Sequence, residues 1–335
     1  MRLQPRAYAL SQLDAFFVAY QERTGILMQH GVEVEVKGEL QREHVEQALT
    51  YLLGRWPRLG QTLRSGVAGL SWRGDCLSKE MLQIADGNGA VAHWRNEPLN
   101  PFREPPFQIL YIPGQEKSTL AFRAHHALTD GEALFALCAD AMRILARVCN
   151  NERLPAPDIA ARVKLTELIS PKRLLRQKKL SGMWRYTRWL AAEAKAGRSM
   201  SLVMRACEPG DIATCETMLD EAHCERIKRR AVMAKVTSAW LCAAAWVRAI
   251  GAWNAAQQSD AAGRRVSLEV PISLRPRRDG KDAIGNFVSP LVLFADPSEP
   301  LEKIAREMQE QLKTGLRQRS HLGVPLFTTP ARYLP

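Results

Sequence analysis

Residues 119–148 constrain the fold more than any other stretch. A strand pattern there runs through two adjacent histidines into a helix, with only a few residues between them. Over 119–124 the side chains alternate, placing Leu120, Phe122 and Ala124 on one face, in phase with His126. Helical spacing follows over about 130–148. Thr129-Asp130-Gly131-Glu132 matches a capping box, which starts the helix immediately after His125-His126. Residues at such a junction sit at an edge of the sheet and are rigidly held.

The same alternation of strand and helix recurs along the chain. Residues 31–38 alternate apolar and polar side chains and read as a strand. Leu40, Val45, Ala48, Leu49, Leu52 and Leu53 then follow at helical spacing. Trp56-Pro57 ends that helix, because proline cannot continue it. Residues 107–112 read as another strand. In the second half, 214–219 and 266–272 read as strands and 221–233 and 237–254 as helices. Residues 287–294 read as a strand broken by Pro290, and 300–318 as a charged amphipathic helix. No short-period repeat is present, so a solenoid is not expected. A mixed α/β chain of 335 residues is long for one core and natural for two. The expected division is 1–155 around the histidines, a linker of basic helices over 156–204, and 205–335.

Composition bears on partners more than on fold. Hydrophobic residues make up 46% and charged residues 24%, a globular balance. The net charge of +12 favours anionic partners, phosphate-bearing ones included, against the plain alternative of a merely basic surface. No zinc-finger spacing, RNP-like strand or heptad-bearing basic helix accompanies the charge, so no nucleic-acid partner is expected. The seven cysteines form no C-x-x-C pair, which predicts reduced thiols and a cytoplasmic location. The linker carries Lys172, Arg173, Arg176, Lys178 and Lys179 beside Trp184, Tyr186 and Trp189. It reads either as a solvated bridge or as a surface for an acyl carrier or a peripheral membrane contact.

His126 is the candidate for chemistry. A histidine takes and returns a proton near neutral pH. Asp130, four residues on at the helix start, can accept backbone N–H bonds or pair with an arginine and so shape the turn. Gly131 removes a side chain where the chain passes close to something. Two other readings stand beside this one: satisfied loop residues, and a metal site. The latter would have two or three ligands at best, because adjacent side chains on a strand point to opposite faces.

His125-His126-Ala127-Leu128-Thr129-Asp130-Gly131 resembles the H-H-x-x-x-D-G signature of the chloramphenicol acetyltransferase-like superfamily. That group includes condensation domains, polyketide-associated and alcohol acetyltransferases, and wax ester synthase/diacylglycerol acyltransferases. The context resembles it too: Arg55-Trp56-Pro57-Arg58-Leu59, then Pro98 through Phe107, then Val270-Pro271-Ile272-Ser273-Leu274-Arg275 and Ile284-Gly285-Asn286-Phe287.

The resemblance implies two α/β sandwich subdomains in a V-shape with a central tunnel. It implies direct attack of an acceptor on an acyl thioester, with His126 as general base, His125 supporting and Asp130 structural. The donor would be acyl-CoA or a phosphopantetheine thioester on an acyl carrier protein, with no tightly bound cofactor and no metal. The acceptor would be an alcohol in preference to an amine. Amide formation on carrier-bound substrates and a non-catalytic scaffold are the alternatives. Thr237, Ser238 and Asn286 are the positions similar to an oxyanion donor, although capping and turn duty would also explain them. Members usually pair the aspartate with an arginine after the first long helix. Here Gly60 follows Leu59, so Arg64, and after it Arg58, is the expected partner. The stretch 321–335 is short for the closing strands of the group, so the second subdomain is expected to be shortened.

Overall fold

The computed structural model describes residues 8–66, 69–74, 78–87, 89–157, 184–185, 187–189, 191–192, 199–200, 217–257, 265–275 and 284–322. The chain divides into two compact units. The first comprises Met1–Leu168, Leu274–Val288 and Thr328–Pro335, and the second Ile169–Ser273 and Ser289–Phe327. Residues 274–288, expected with the C-terminal part, therefore pack within the first unit. Most of the basic linker, and with it any carrier or membrane contact, lies outside the described residues.

The first unit is built on a four-stranded sheet. Its strands are β2 (Gln29–Lys37), β7 (Lys117–His125), β6 (Phe107–Ile112) and β5 (Leu82–Ile84), in that spatial order. β7 runs antiparallel to both β2 and β6, and β5 is parallel to β6. Helices α2 (Arg42–Arg55) and α5 (Gly131–Cys149) cover one face. There Phe107, Ile109, Tyr111, Leu120, Phe122 and Ala124 meet Leu49, Leu52, Leu134, Leu137 and Leu145. Each large apolar side chain buried in this layer contributes on the order of 1.5–3 kcal/mol. Against the other face, α4 (Ala90–Asn96) packs Val91 and Trp94 on Leu110, Ile112 and Ala121. β6 is therefore buried throughout, which is why its sequence is apolar on both faces apart from Gln108. β2 is an edge strand and alternates, with Val32, Val34 and Val36 turned to the core and Glu33 and Glu35 exposed.

Five further elements belong to this unit. α1 (Gln12–Thr24) starts with a reciprocal capping box between Ser11 and Asp14. β1 (Tyr8–Ala9), β4 (Ser71–Arg73) and β3 (Thr62–Arg64) form a small sheet in that order. α3 (Ser78–Met81) precedes β5. None of these was read from the sequence.

The second unit contains α6 (Glu221–Met233), α7 (Ser238–Ala256) and α8 (Leu301–Arg317). Its sheet has the order β10 (Val288–Ala295), β9 (Arg265–Ser273), β8 (Ser199–Met200). Leu241, Ala244, Val247, Leu291, Leu293, Ile304 and Met308 form its core. The strand expected to break at Pro290 does not. β10 runs through it: among the described residues β10 lies at the edge of its sheet, where a proline is tolerated because an outward-facing position needs no N–H. The described part of the predicted strand 214–219, residues 217–219, is not in a strand. No described helix is long and apolar enough to cross a membrane.

Candidate active site

β7 ends at His125, and a turn of five residues leads to α5. The helix starts one residue later than the capping-box reading requires. Asp130, not Thr129, is its N-cap, with Oδ1 accepting the Ala133 N–H at 2.9 Å. Thr129 Oγ1 instead shares a hydrogen bond of 2.9 Å with His30 Nε2.

The two histidines have different surroundings. The His125 N–H donates to Pro106 O at 2.8 Å, and its fully buried ring accepts the Ala127 N–H on Nδ1 at 3.0 Å. Burial, and after it the neighbouring His126, pushes its pKa down to about 4. His125 is therefore neutral near pH 7, with its proton on Nε2, and it holds the turn. The backbone of His126 is tied on both sides: its N–H donates to Met28 O at 2.7 Å, and its carbonyl accepts Asn286 Nδ2 at 2.6 Å. Its half-buried ring stacks between two others. The centroid of Phe17 lies 4.2 Å away at an interplanar angle of 15°, and that of His30 lies 4.5 Å away at 14°. His126 Nδ1 is buried without a protein partner, which leaves Nε2 as the accessible ring nitrogen.

Asp130 is fully engaged. Beyond the Ala133 N–H it accepts the Phe287 N–H at 2.9 Å and both arms of the Arg275 guanidinium, at 2.7 Å and 2.6 Å. Arg275 also donates to Gly285 O at 3.0 Å. Both side chains of this pair are nearly inaccessible, 3% exposed for Asp130 and 4% for Arg275. The expected partner, Arg64, is therefore wrong: it sits at the exposed end of β3, and Arg58, the other choice, donates to Ile284 O at 2.6 Å. The bidentate fork of an arginine matches a carboxylate wherever the chain brings it, and here it comes from residues 274–288 rather than from the end of α2.

That segment also carries Asn286, and its role differs from the expected one. Both Nδ2 hydrogens are used, one on His126 O and the other on Asp14 Oδ1 at 2.7 Å. Its side chain has no N–H left for an oxyanion and instead positions the histidine loop. Asp14 is buried, which raises its pKa, and it completes a chain from the first helix to the His126 backbone. Gly285 has φ +149°, and a Cβ there would sit 3.0 Å from the Phe287 ring, so the turn needs glycine. Thr237 and Ser238 lie in the second unit at the start of α7, where Thr237 is the N-cap without a side-chain cap bond. Gly131 is not at a close approach: a Cβ there would meet nothing within 4 Å.

Three site residues had no part in the sequence reading. Phe17 and Asp14 lie on α1, whose S-x-x-D start at Ser11 was the available signal. His30 lies on β2 opposite Ala124, and only the strand pairing brings it to His126. Beneath the site, buried Arg123 binds Gln108 at 3.1 Å and 2.7 Å and the carbonyl of Trp94, and stacks on the Trp94 ring. Among the described residues, no three His, Cys, Asp or Glu side chains are grouped to hold a metal ion.

No family model matches the sequence, and no curated protein matches it. Solved structures do. The first condensation domain of the calcium-dependent antibiotic synthetase, in complex with a substrate analogue, superposes with a TM-score of 0.71 at 16% identity, covering 94% of this chain and 76% of that one. The X-domain from teicoplanin biosynthesis gives 0.62 at 16% identity, covering 100% of this chain and 75% of that one. The starter condensation domain of rhizomide synthetase, in complex with C8-CoA, gives 0.62 at 17% identity over 95% and 75% of the two chains. At these identities the likeness concerns fold: the chain has the chloramphenicol acetyltransferase-like α/β fold of the condensation domains.

Proposed function

We propose, for a chain with this fold, that it transfers an acyl group from a CoA or carrier-protein thioester to a hydroxyl or amine, with His126 as general base. One observation carries the reading. Of the ionisable groups in the histidine loop, His126 alone combines an accessible nitrogen with a fixed ring, while His125 is buried and Asp130 is saturated. Nε2 accepts the acceptor's proton as its oxygen or nitrogen attacks the thioester carbonyl. The tetrahedral intermediate then collapses, the C–S bond breaks, and the thiolate takes the proton back from the imidazolium. No acyl-enzyme forms. Asp130, bound to both arms of Arg275, keeps the turn in place without reacting. Asn286 is committed to His126 O and Asp14, so its side chain is not the oxyanion donor.

The fold likeness to condensation domains favours a second form of the same reading, amide formation on carrier-bound donors. The test follows free thiol release with acyl-CoA and acyl-carrier donors, each with alcohols and with amines, beside His126→Ala. Acceptor-dependent release that is lost in the folded variant supports acyl transfer, and the productive donor and acceptor choose between the two forms. Equal release by the variant removes His126 as the base. No release with any pair sinks the reading in favour of a binding role.

A further inference from the structure

His30 lies on β2 and His126 in the turn after β7, yet the two rings are nearly parallel at 4.5 Å. Phe17 lies against the opposite face at 4.2 Å, so the imidazole is held in a three-ring sandwich. Each outer ring is anchored independently. Phe17 rides on α1, beside Asp14 and its bond to Asn286. His30 is fixed in β2 by pairing with Ala124, and its Nε2 is tied to Thr129 Oγ1 at 2.9 Å. A lone imidazole at a loop rotates about χ2 in a broad well. One clamped on both faces does not, and its free nitrogen keeps a single direction. Among the described residues, no protein group hydrogen-bonds His126 Nδ1 to do this work, although such a bond to the second ring nitrogen is the usual way to orient a histidine.

We propose that His30 is a positioning residue: together with Phe17 it orients the His126 ring by stacking, in place of a hydrogen-bonded partner on Nδ1. The proposal rests on the acyl-transfer reading of the same site. Its electrostatics are consistent. Burial, and next the His126 charge, hold His30 near a pKa of about 3, so it stays uncharged while His126 carries the proton between steps. A cationic neighbour at that distance would oppose the imidazolium that the reaction forms.

Two variants separate orientation from bulk packing. His30→Ala removes the face, and His30→Phe keeps an aromatic face without the Thr129 bond. Both are first checked for native circular dichroism and melting. With a donor–acceptor pair that the wild type uses, His30→Ala lowers kcat about tenfold with KM within about twofold, and His30→Phe recovers kcat to within about threefold. A second readout needs no turnover. In protein with labelled histidines, the His126 ring protons, assigned by their loss in His126→Ala, resonate upfield from ring currents above and below. They move downfield in His30→Ala and stay upfield in His30→Phe. An unchanged kcat or an unchanged resonance in a folded His30→Ala overturns the proposal, as does a His30→Phe variant as slow as His30→Ala. Absence of turnover in the wild type would instead count against the acyl-transfer reading, and the resonances would still report whether the stack exists.

Discussion

Replacing Arg275 with methionine would leave the Asp130 carboxylate buried with only the Ala133 and Phe287 amides as donors. Two charge-assisted bonds would be lost, those at 2.7 Å and 2.6 Å, which at about 1.5–3 kcal/mol each gives about 3–6 kcal/mol. The cost of stranding one member of a buried ion pair is about 3–5 kcal/mol, in agreement. The two surviving amide donors put the expectation at the low end, about 3 kcal/mol. Asp130→Asn leaves the guanidinium with Gly285 O at 3.0 Å and the exposed Glu132 carboxylate at 3.4 Å, and costs somewhat less. In the double variant neither charge is stranded as before, so its cost falls short of the sum by about 2 kcal/mol. A global unfolding midpoint would mix the transitions of the two units, so the assay is hydrogen exchange at the β7 and α5 amides. Arg64→Ala is the control and changes this protection by less than about 0.5 kcal/mol. An Arg275→Met cost below about 1 kcal/mol, or single costs that simply add, would refute the view that this pair holds the histidine loop.

Other expectations concern the same unit. Burial depresses the folded values of His125 to about 4 and His30 to about 3 from the ordinary 6.5. Both are therefore neutral when folded and take up protons on unfolding below pH 6.5. Their contribution is complete above that pH and is lost as the pH falls toward the folded values, with a slope approaching about 2.7 kcal/mol per pH unit for two protons. His125→Asn should halve that slope in acid unfolding of the first unit, and an unchanged slope would contradict the assignment. Asp14 works in the opposite sense. Its raised folded value means that stability is gained as the pH falls through it, so Asp14→Asn should steepen the acid loss. At neutral pH, His125→Leu leaves the Ala127 N–H without its acceptor and should cost about 2 kcal/mol more than His125→Asn, whose side-chain oxygen can replace Nδ1. Gly31→Ala would place a Cβ 2.7 Å from Phe122 O, and should cost about 1–3 kcal/mol through a forced separation of β2 from β7, seen as faster exchange along that ladder.

The elements that could be read in advance share one property: their apolar residues recur with a regular period, or run on without a break, over about six or more positions. α2, α5, α7, β6, β7 and β9 all satisfy this, and their predicted limits lie close to those observed. Short elements do not carry a period. β3, β4 and β5 span three residues each, and two or three alternating positions cannot be told from a loop. α1 was legible only through its Ser11–Asp14 cap, since it exposes Phe16 and Tyr20 and buries little beyond Asp14 and Val18.

The histidine motif, the strand before it and the helix after it were determined locally. Only the caps inside the turn depend on neighbours within five residues, the Ala127 N–H on His125 and the Ala133 N–H on Asp130, and a motif records those. What surrounds His126 was decided by pairing at long range. His30 arrives through the β2–β7 register, Phe17 through the packing of α1, and Asn286 and Arg275 through a segment about 150 residues downstream that returns to the first unit. Sequence reasoning named the need for an arginine and put Arg64 first and Arg58 second, whereas the partner is Arg275. A guanidinium satisfies a carboxylate from any direction that presents its fork, and only the path of the chain settles which one does. The same holds for Asn286: its type suits an oxyanion donor, a turn or a tether equally, and the tertiary contacts used both of its hydrogens on Asp14 and the His126 carbonyl.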